Sequence, residues 1–219
     1  MIGYILLIIS VVEVILGFYL IFRYVKSPAT IYYGLFALSV ALYVGANGYG
    51  FSPFSENDIW LEIIAWIGGT FTAPFILGFS YSFPYPRKSN KEILSLVLSP
   101  LVFFFVVILF SNTFVDHNSV ISFDEGFQRP VGELHWFVLS VFFFYWVWSF
   151  IELVKSRKKS DGFNKNFLLI LIIGLVFSLL VSVFTNIIHP LVDVSKLGYM
   201  GPLASSIWLF ITGYLILRK

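Results

Sequence analysis

Polar residues fall in clusters along this chain, and between the clusters run seven stretches that are almost wholly apolar. They cover residues 2–22, 29–49, 59–83, 93–110, 132–154, 166–188 and 203–217. An α-helix rises about 1.5 Å per residue, so about 20 apolar residues cross a hydrocarbon core of about 30 Å. The pattern predicts an all-α fold: a polytopic integral membrane protein whose residues 1–219 form a single seven-transmembrane helix bundle. Prolines and basic residues punctuate it. Arg23, Lys26 and Pro28 close the first span, and Pro84, Pro86, Arg87, Lys88 and Lys91 make a basic turn after the third. Pro74 lies inside the third span, where a missing amide hydrogen predicts a kink. In the longest loop, residues 111–130, Ile121-Ser122-Phe123 and Phe127 flank Asp124-Glu125-Gly126 and predict a small hairpin.

Composition agrees with that class. Hydrophobic residues are 58% and charged residues 12%, whereas soluble domains carry roughly 25% charge. Cysteine is absent, which excludes disulfides and thiolate metal sites. The N-terminus carries no basic leader and no small-residue cleavage site, so the first span reads as retained rather than cleaved. A net charge of +2 does not point to a nucleic-acid partner. The distribution of charge is more telling. Of fourteen Lys and Arg residues, only Arg129 and Lys196 lie in the second, fourth or sixth loop; the others lie in the odd loops or at the C-terminus. The positive-inside rule then places the N-terminus outside and the C-terminus in the cytoplasm.

Few residues are candidates for chemistry. Glu13 sits near the middle of the first span, where a charged carboxylate is disfavoured by several kcal/mol. It reads either as an ion or proton group or as a neutral acid bonded to a neighbouring helix. Glu62, Glu133, His135, Asn186 and His189 all lie one to three turns from the outer face. Together they either line an outward-open ligand pocket or represent ordinary interfacial polarity. Pro190 predicts that the sixth span ends near His189, with Asn186 turned inward and His189 at a wet rim. His135 and His189 lack any ligand spacing, so no metal or other cofactor is expected. On the second span Ala37, Ala41 and Gly45 form a small-residue stripe, suited to packing within the bundle or to the face of a homodimer.

Several membrane activities fail on sequence. The seventh span has no lysine for a retinal Schiff base, no glycine-flanked serine is paired with a deep histidine, and no H-E-x-x-H, P-loop or dinucleotide fingerprint occurs. No internal repeat of the transporter kind is evident.

The arrangement of motifs resembles the N-terminal seven-transmembrane sensor region of bacterial histidine kinases, also found ahead of other signalling output domains. The resemblance spans nearly the whole chain. It rests on Gly68-Gly69-Thr70-Phe71-Thr72-Ala73-Pro74 followed by Phe79-Ser80-Tyr81, and on Gly132-Glu133-Leu134-His135-Trp136. It continues with Asn186-Ile187-Ile188-His189-Pro190 and with Gly201-Pro202 leading to Ile211-Thr212-Gly213-Tyr214-Leu215-Ile216-Leu217-Arg218. The second span departs from that pattern, with Leu42-Tyr43 where a tryptophan is expected. The resemblance implies a non-catalytic sensory input domain in the lipid bilayer. It would detect an unidentified small-molecule ligand or membrane state and signal through the seventh span to a cytoplasmic output module in cis or in trans. A small transporter or channel using Glu13 is the alternative from a different class.

Overall fold

In a computed structural model, residues 1–23, 27–52, 59–110, 121–123, 126–128, 133–185 and 199–218 are described. Seven helices dominate: α1 (Ile2–Arg23), α2 (Pro28–Gly50), α3 (Ile59–Ser82), α4 (Asn90–Phe110), α5 (Leu134–Lys158), α6 (Gly162–Val183) and α7 (Met200–Leu217). All seven are long and apolar enough to cross a membrane. Between α4 and α5, β1 (Ile121–Phe123) pairs antiparallel with β2 (Gly126–Gln128), Ser122 opposite Phe127.

The helix ends differ from the apolar boundaries in instructive ways. The second helix starts at Pro28, where Ser27 provides an N-cap: its hydroxyl accepts from the Thr30 amide at 3.5 Å. Proline at the first helical position forfeits only an amide that has no intrahelical partner. The fifth helix runs on to Lys158 and the sixth begins at Gly162. Lys155, Arg157, Lys158 and Lys165 are therefore carried on helical extensions and not in a basic loop. Backbone hydrogen bonds persist there, while the long cationic side chains reach water from the helix ends. The turn between α5 and α6 needs a left-handed residue, and Gly162 supplies it at φ +52°. A single π-type turn at Phe184 and Thr185 follows α6.

Close backbone approach organises the bundle. α1 and α2 run antiparallel along matched small residues. A Cβ on Gly3 would lie 2.7 Å from the Gly48 carbonyl oxygen, and one on Gly34 would lie 2.8 Å from that of Gly17. Midway between, the Ser10 hydroxyl donates to the Ala41 carbonyl at 2.9 Å and occupies the space beside Gly45. The Ala41–Gly45 part of the small-residue stripe is thus spent inside the bundle, on α1. Without a hydrophobic drive in lipid, such close packing and interhelical hydrogen bonds are what hold helices together.

The second helix is the hub: it packs on α1, α3 and α7. Gly68 of α3 sits against the backbone of Ser39 and Tyr43, and Gly78 against the ring of Tyr32. α3 continues helical through Pro74 and carries α4 and α5 on its other sides. α6 bridges α5 and α7. Leu6, Tyr33, Phe36, Phe79 and Phe167 are fully buried in the central cluster. The lipid-facing side of α1, for example Ile8, Val11, Ile15 and Phe22, is exposed in the isolated chain.

Candidate functional site

The buried polar groups converge where α1, α2 and α7 meet. Glu13, halfway along α1, is 0% exposed. It shares the inward seam of α1 with Leu6, Gly17 and Leu20, a spacing of three, four and seven residues that keeps all four on one helical face. The Ser206 hydroxyl of α7 lies beside it, and Tyr33 of α2 lies within electrostatic range. Neither carboxyl oxygen of Glu13 meets a partner with hydrogen-bond geometry, although Ser206 lies near enough to interact. Ser206 directs its own proton to the Pro202 carbonyl at 2.9 Å.

One turn further along α7, Tyr33 links α2 to α7. Its single hydroxyl proton is shared between the Leu209 carbonyl, at 3.1 Å, and the Thr212 hydroxyl oxygen, both of which accept from it. Thr212 in turn donates to the Trp208 carbonyl at 2.9 Å. Both side chains are fully buried. Apolar contacts flank this polar seam. Trp208 meets Phe36 edge-on at 5.3 Å, within the range where aromatic pairs add to simple burial. On its other side the indole lies directly over Gly174 of α6, where a Cβ would fall 1.4 Å from Trp208 Cδ1. Gly213 accepts Leu16 of α1, with a Cβ position 2.9 Å from Leu16 Cδ2. Ser178 of α6 donates to the Ala204 carbonyl of α7 at 3.3 Å. α7 is thus tied to three helices by directional contacts at fixed heights.

A second polar cluster lies at the bundle end that carries Arg23, Lys158 and Arg218. Arg87, between α3 and α4, reaches Glu152 of α5 at 2.8 Å and also donates to the carbonyls of Ser80 and Glu152, at 2.6 and 3.2 Å. Lys155 contacts the other Glu152 oxygen at 2.7 Å. The guanidinium stands 5.3 Å from the Tyr81 ring centre, and the Tyr81 hydroxyl accepts from the Trp148 indole at 3.1 Å. Glu152 is buried, so this latch pins α5 to the α3–α4 turn.

The residues predicted to line an outer pocket are placed less uniformly. His135 is buried, its ring edge-on to Trp66 of α3 at 4.8 Å. Glu62 is half-buried one turn before Trp66 on the same helix. Glu133 is exposed at the start of α5 and caps nothing with its side chain. Asn186 and His189 lie outside the described residues, as does the predicted end of the sixth span. His135 therefore packs on Trp66, with Glu62 one turn away along α3, while Glu133 is exposed at the start of α5. Among the described residues no three His, Asp or Glu groups come together as a metal site would require.

Sequence reasoning picked out Glu13 but missed Tyr33, Ser206, Thr212 and Glu152. The first three have no signal of their own, being hydroxyls in apolar spans. Ser206 and Thr212 lie six residues apart on α7, which does not mark one face. Glu152 precedes a lysine cluster and reads as interfacial charge until Arg87, 65 residues away, is seen to bury it.

Seven membrane-length helices packed around a polar seam define a polytopic helical membrane protein. The family described as the N-terminal 7TM region of histidine kinase matches residues 5–219, and the chain belongs to it. It is a multi-pass membrane region of the sensory kind that histidine kinases carry. No curated protein and no solved structure compared with the chain gave a match.

Proposed function

We propose that this chain receives a stimulus in the membrane and passes it to a cytoplasmic output module through α7. The observation that carries the reading is the tethering of α7: Tyr33–Leu209 and Tyr33–Thr212 to α2, Leu16–Gly213 to α1, and Trp208 in its slot on α6. A helix held at fixed heights by hydrogen bonds and a ring-filled slot has discrete packings, and a stimulus is transmitted only if it binds those packings with different affinity. The basic end, with Arg23, Arg87, Lys158 and Arg218, would face the cytoplasm, so that α7 emerges there. The output module would be a kinase, a cyclase or another signalling domain, in cis or in trans. The ligand would be a small molecule, entering at the end bearing Glu62 and His135, or the bilayer itself. Two chains side by side would let the α7 helices act as a pair.

The test is a fusion of a histidine-kinase output domain after Lys219. Variants that loosen α7, such as Tyr33→Phe and Thr212→Val, should change basal phosphorylation in the same direction. Output unaffected by any α7 variant, in a fusion shown to respond to some stimulus, would overturn the reading. Reconstitution into liposomes checks the competing class. Proton or cation flux that disappears in Glu13→Gln would establish transport instead.

A further inference from the structure

A fully buried carboxyl group with no basic partner is rare enough to demand a role. Around Glu13, among the described residues, α2 contributes one titratable side chain within electrostatic range, Tyr33, and α7 contributes the Ser206 hydroxyl. No lysine, arginine or histidine is among them. A carboxylate in that position has no cationic side chain beside it, and about three hydrogen-bond donors would be needed to replace its hydration. As a neutral acid it needs only an acceptor. Ser206 can be that acceptor, because its own proton is committed to Pro202 and its lone pairs remain. The packing described above therefore suits a neutral acid better than a carboxylate.

We propose that Glu13 is a proton-operated switch at the α1–α2–α7 seam, whose deprotonation separates α7 from α1. The inference rests on α7 being the output helix and names the stimulus class that this seam would answer to, a change in proton activity. When the acid loses its proton to bulk water, the carboxylate left behind must draw in water or a cation. The tight fit around it leaves no room: Gly17 lies against the Gly34 carbonyl oxygen one turn away, and Gly213 lies against Leu16. Interiors packed this closely shift between discrete arrangements and do not swell gradually. The movable partner is α7, because α1 is zipped to α2 by backbone approach at both Gly3–Gly48 and Gly17–Gly34. On the α7 side Glu13 lies beside the Ser206 hydroxyl without bonding it, and the neighbouring contact is the flexible Leu16 side chain against Gly213.

The experiment uses the full chain in lipid nanodiscs at constant salt. Infrared spectroscopy reads the protonated carboxyl of Glu13 as a C=O stretch missing from Glu13→Gln. Spin labels at Phe22→Cys and Leu217→Cys, both exposed to lipid or solvent, read the separation of α1 and α7 in the otherwise cysteine-free chain. The carboxyl band should bleach as pH rises, and the labels should move apart over the same pH interval. Glu13→Gln, which mimics the neutral acid, should show one spacing at every pH. Ser206→Ala should shift the band and keep it, which preserves the test should Glu13→Gln fail to fold. Absence of the band in the unmodified chain would overturn the switch, as would a pH-dependent spacing that survives in Glu13→Gln. In the kinase fusion the two ideas separate. A Glu13-dependent change of spacing with unresponsive kinase output would defeat the α7 output reading and leave the switch standing. Kinase output that responds to stimuli in a chain lacking the carboxyl band would do the reverse.

Discussion

Removing the Tyr33 hydroxyl tests how α7 is held. Tyr33→Phe keeps the ring, and with it the contacts to Phe36 at 5.8 Å and Phe79 at 5.5 Å, so the change reports the hydroxyl alone. That hydroxyl joins two helices, its one proton shared between the Leu209 carbonyl at 3.1 Å and the Thr212 hydroxyl oxygen. Its loss orphans little. The Leu209 carbonyl lies within α7 and keeps its place in the helical ladder, and Thr212 still donates to Trp208 at 2.9 Å. The effect should therefore be a lost interhelical bond and not a buried unsatisfied group. Membrane double-mutant cycles give about 0.6 kcal/mol for such bonds on average and about 1.7 at most. At tenfold per 1.4 kcal/mol, that is about 3- to 16-fold in an equilibrium between packings.

Thr212→Val removes the partner with nearly unchanged shape, and the double variant closes a cycle. Stability would be followed by tryptophan fluorescence as the chain unfolds in mixed micelles of rising dodecyl sulfate content. The two substitutions should be coupled by about 0.6 kcal/mol or more, since residues sharing one buried bond are not additive. Additivity within about 0.3 kcal/mol would show that the Tyr33–Thr212 bond does not hold α7, and the proposed route of transmission would go with it.

Three further outcomes are expected. Gly174→Ala should destabilise by about 1–3 kcal/mol, because its Cβ position is 1.4 Å from the Trp208 ring and overpacking a tight contact forces a shift; Gly69→Ala, whose Cβ would touch only the Tyr43 ring at 3.7 Å, should be near neutral in the same unfolding assay. Arg87→Ala should lose about 1–3 kcal/mol, since it removes donors from Glu152, and from the Ser80 carbonyl, in a partly buried latch; Lys155→Ala, with a side chain 58% exposed, should lose less than about 1 kcal/mol, and the reverse ranking would refute the latch. For orientation, an impermeant thiol reagent applied to intact cells should label a cysteine placed at Phe123 and spare one at Lys158; the opposite pattern would invert the topology and the cytoplasmic exit of α7.

Much of this protein is legible in one dimension. Long apolar runs commit a chain to helices in a bilayer because every backbone polar group must be satisfied within its own segment. Length and composition alone therefore predict the seven helices, and the family follows from the same layout with its scattered motifs. Glu13 stood out for the same reason, as a lone acid in an apolar run. Where helices end was less legible. The charged residues from Lys155 to Lys165 look like loop, yet most lie on α5 and α6, because a helix can extend into the interface without losing a hydrogen bond.

Only the tertiary structure decided which residues meet. An apolar span offers nearly equivalent faces to lipid and to protein, so periodicity does not say which side of α1 or α7 turns inward. The choice is made by shape: Gly3 against Gly48, Gly17 against Gly34, Trp208 over Gly174, Leu16 against Gly213. Those fits bring Glu13, Tyr33, Ser206 and Thr212 together from three helices, and they bury Glu152 beneath Arg87. Each of these groups is unremarkable in the sequence; its meaning comes from partners up to 179 residues away, which the packing of helices selects and the order of residues does not spell out.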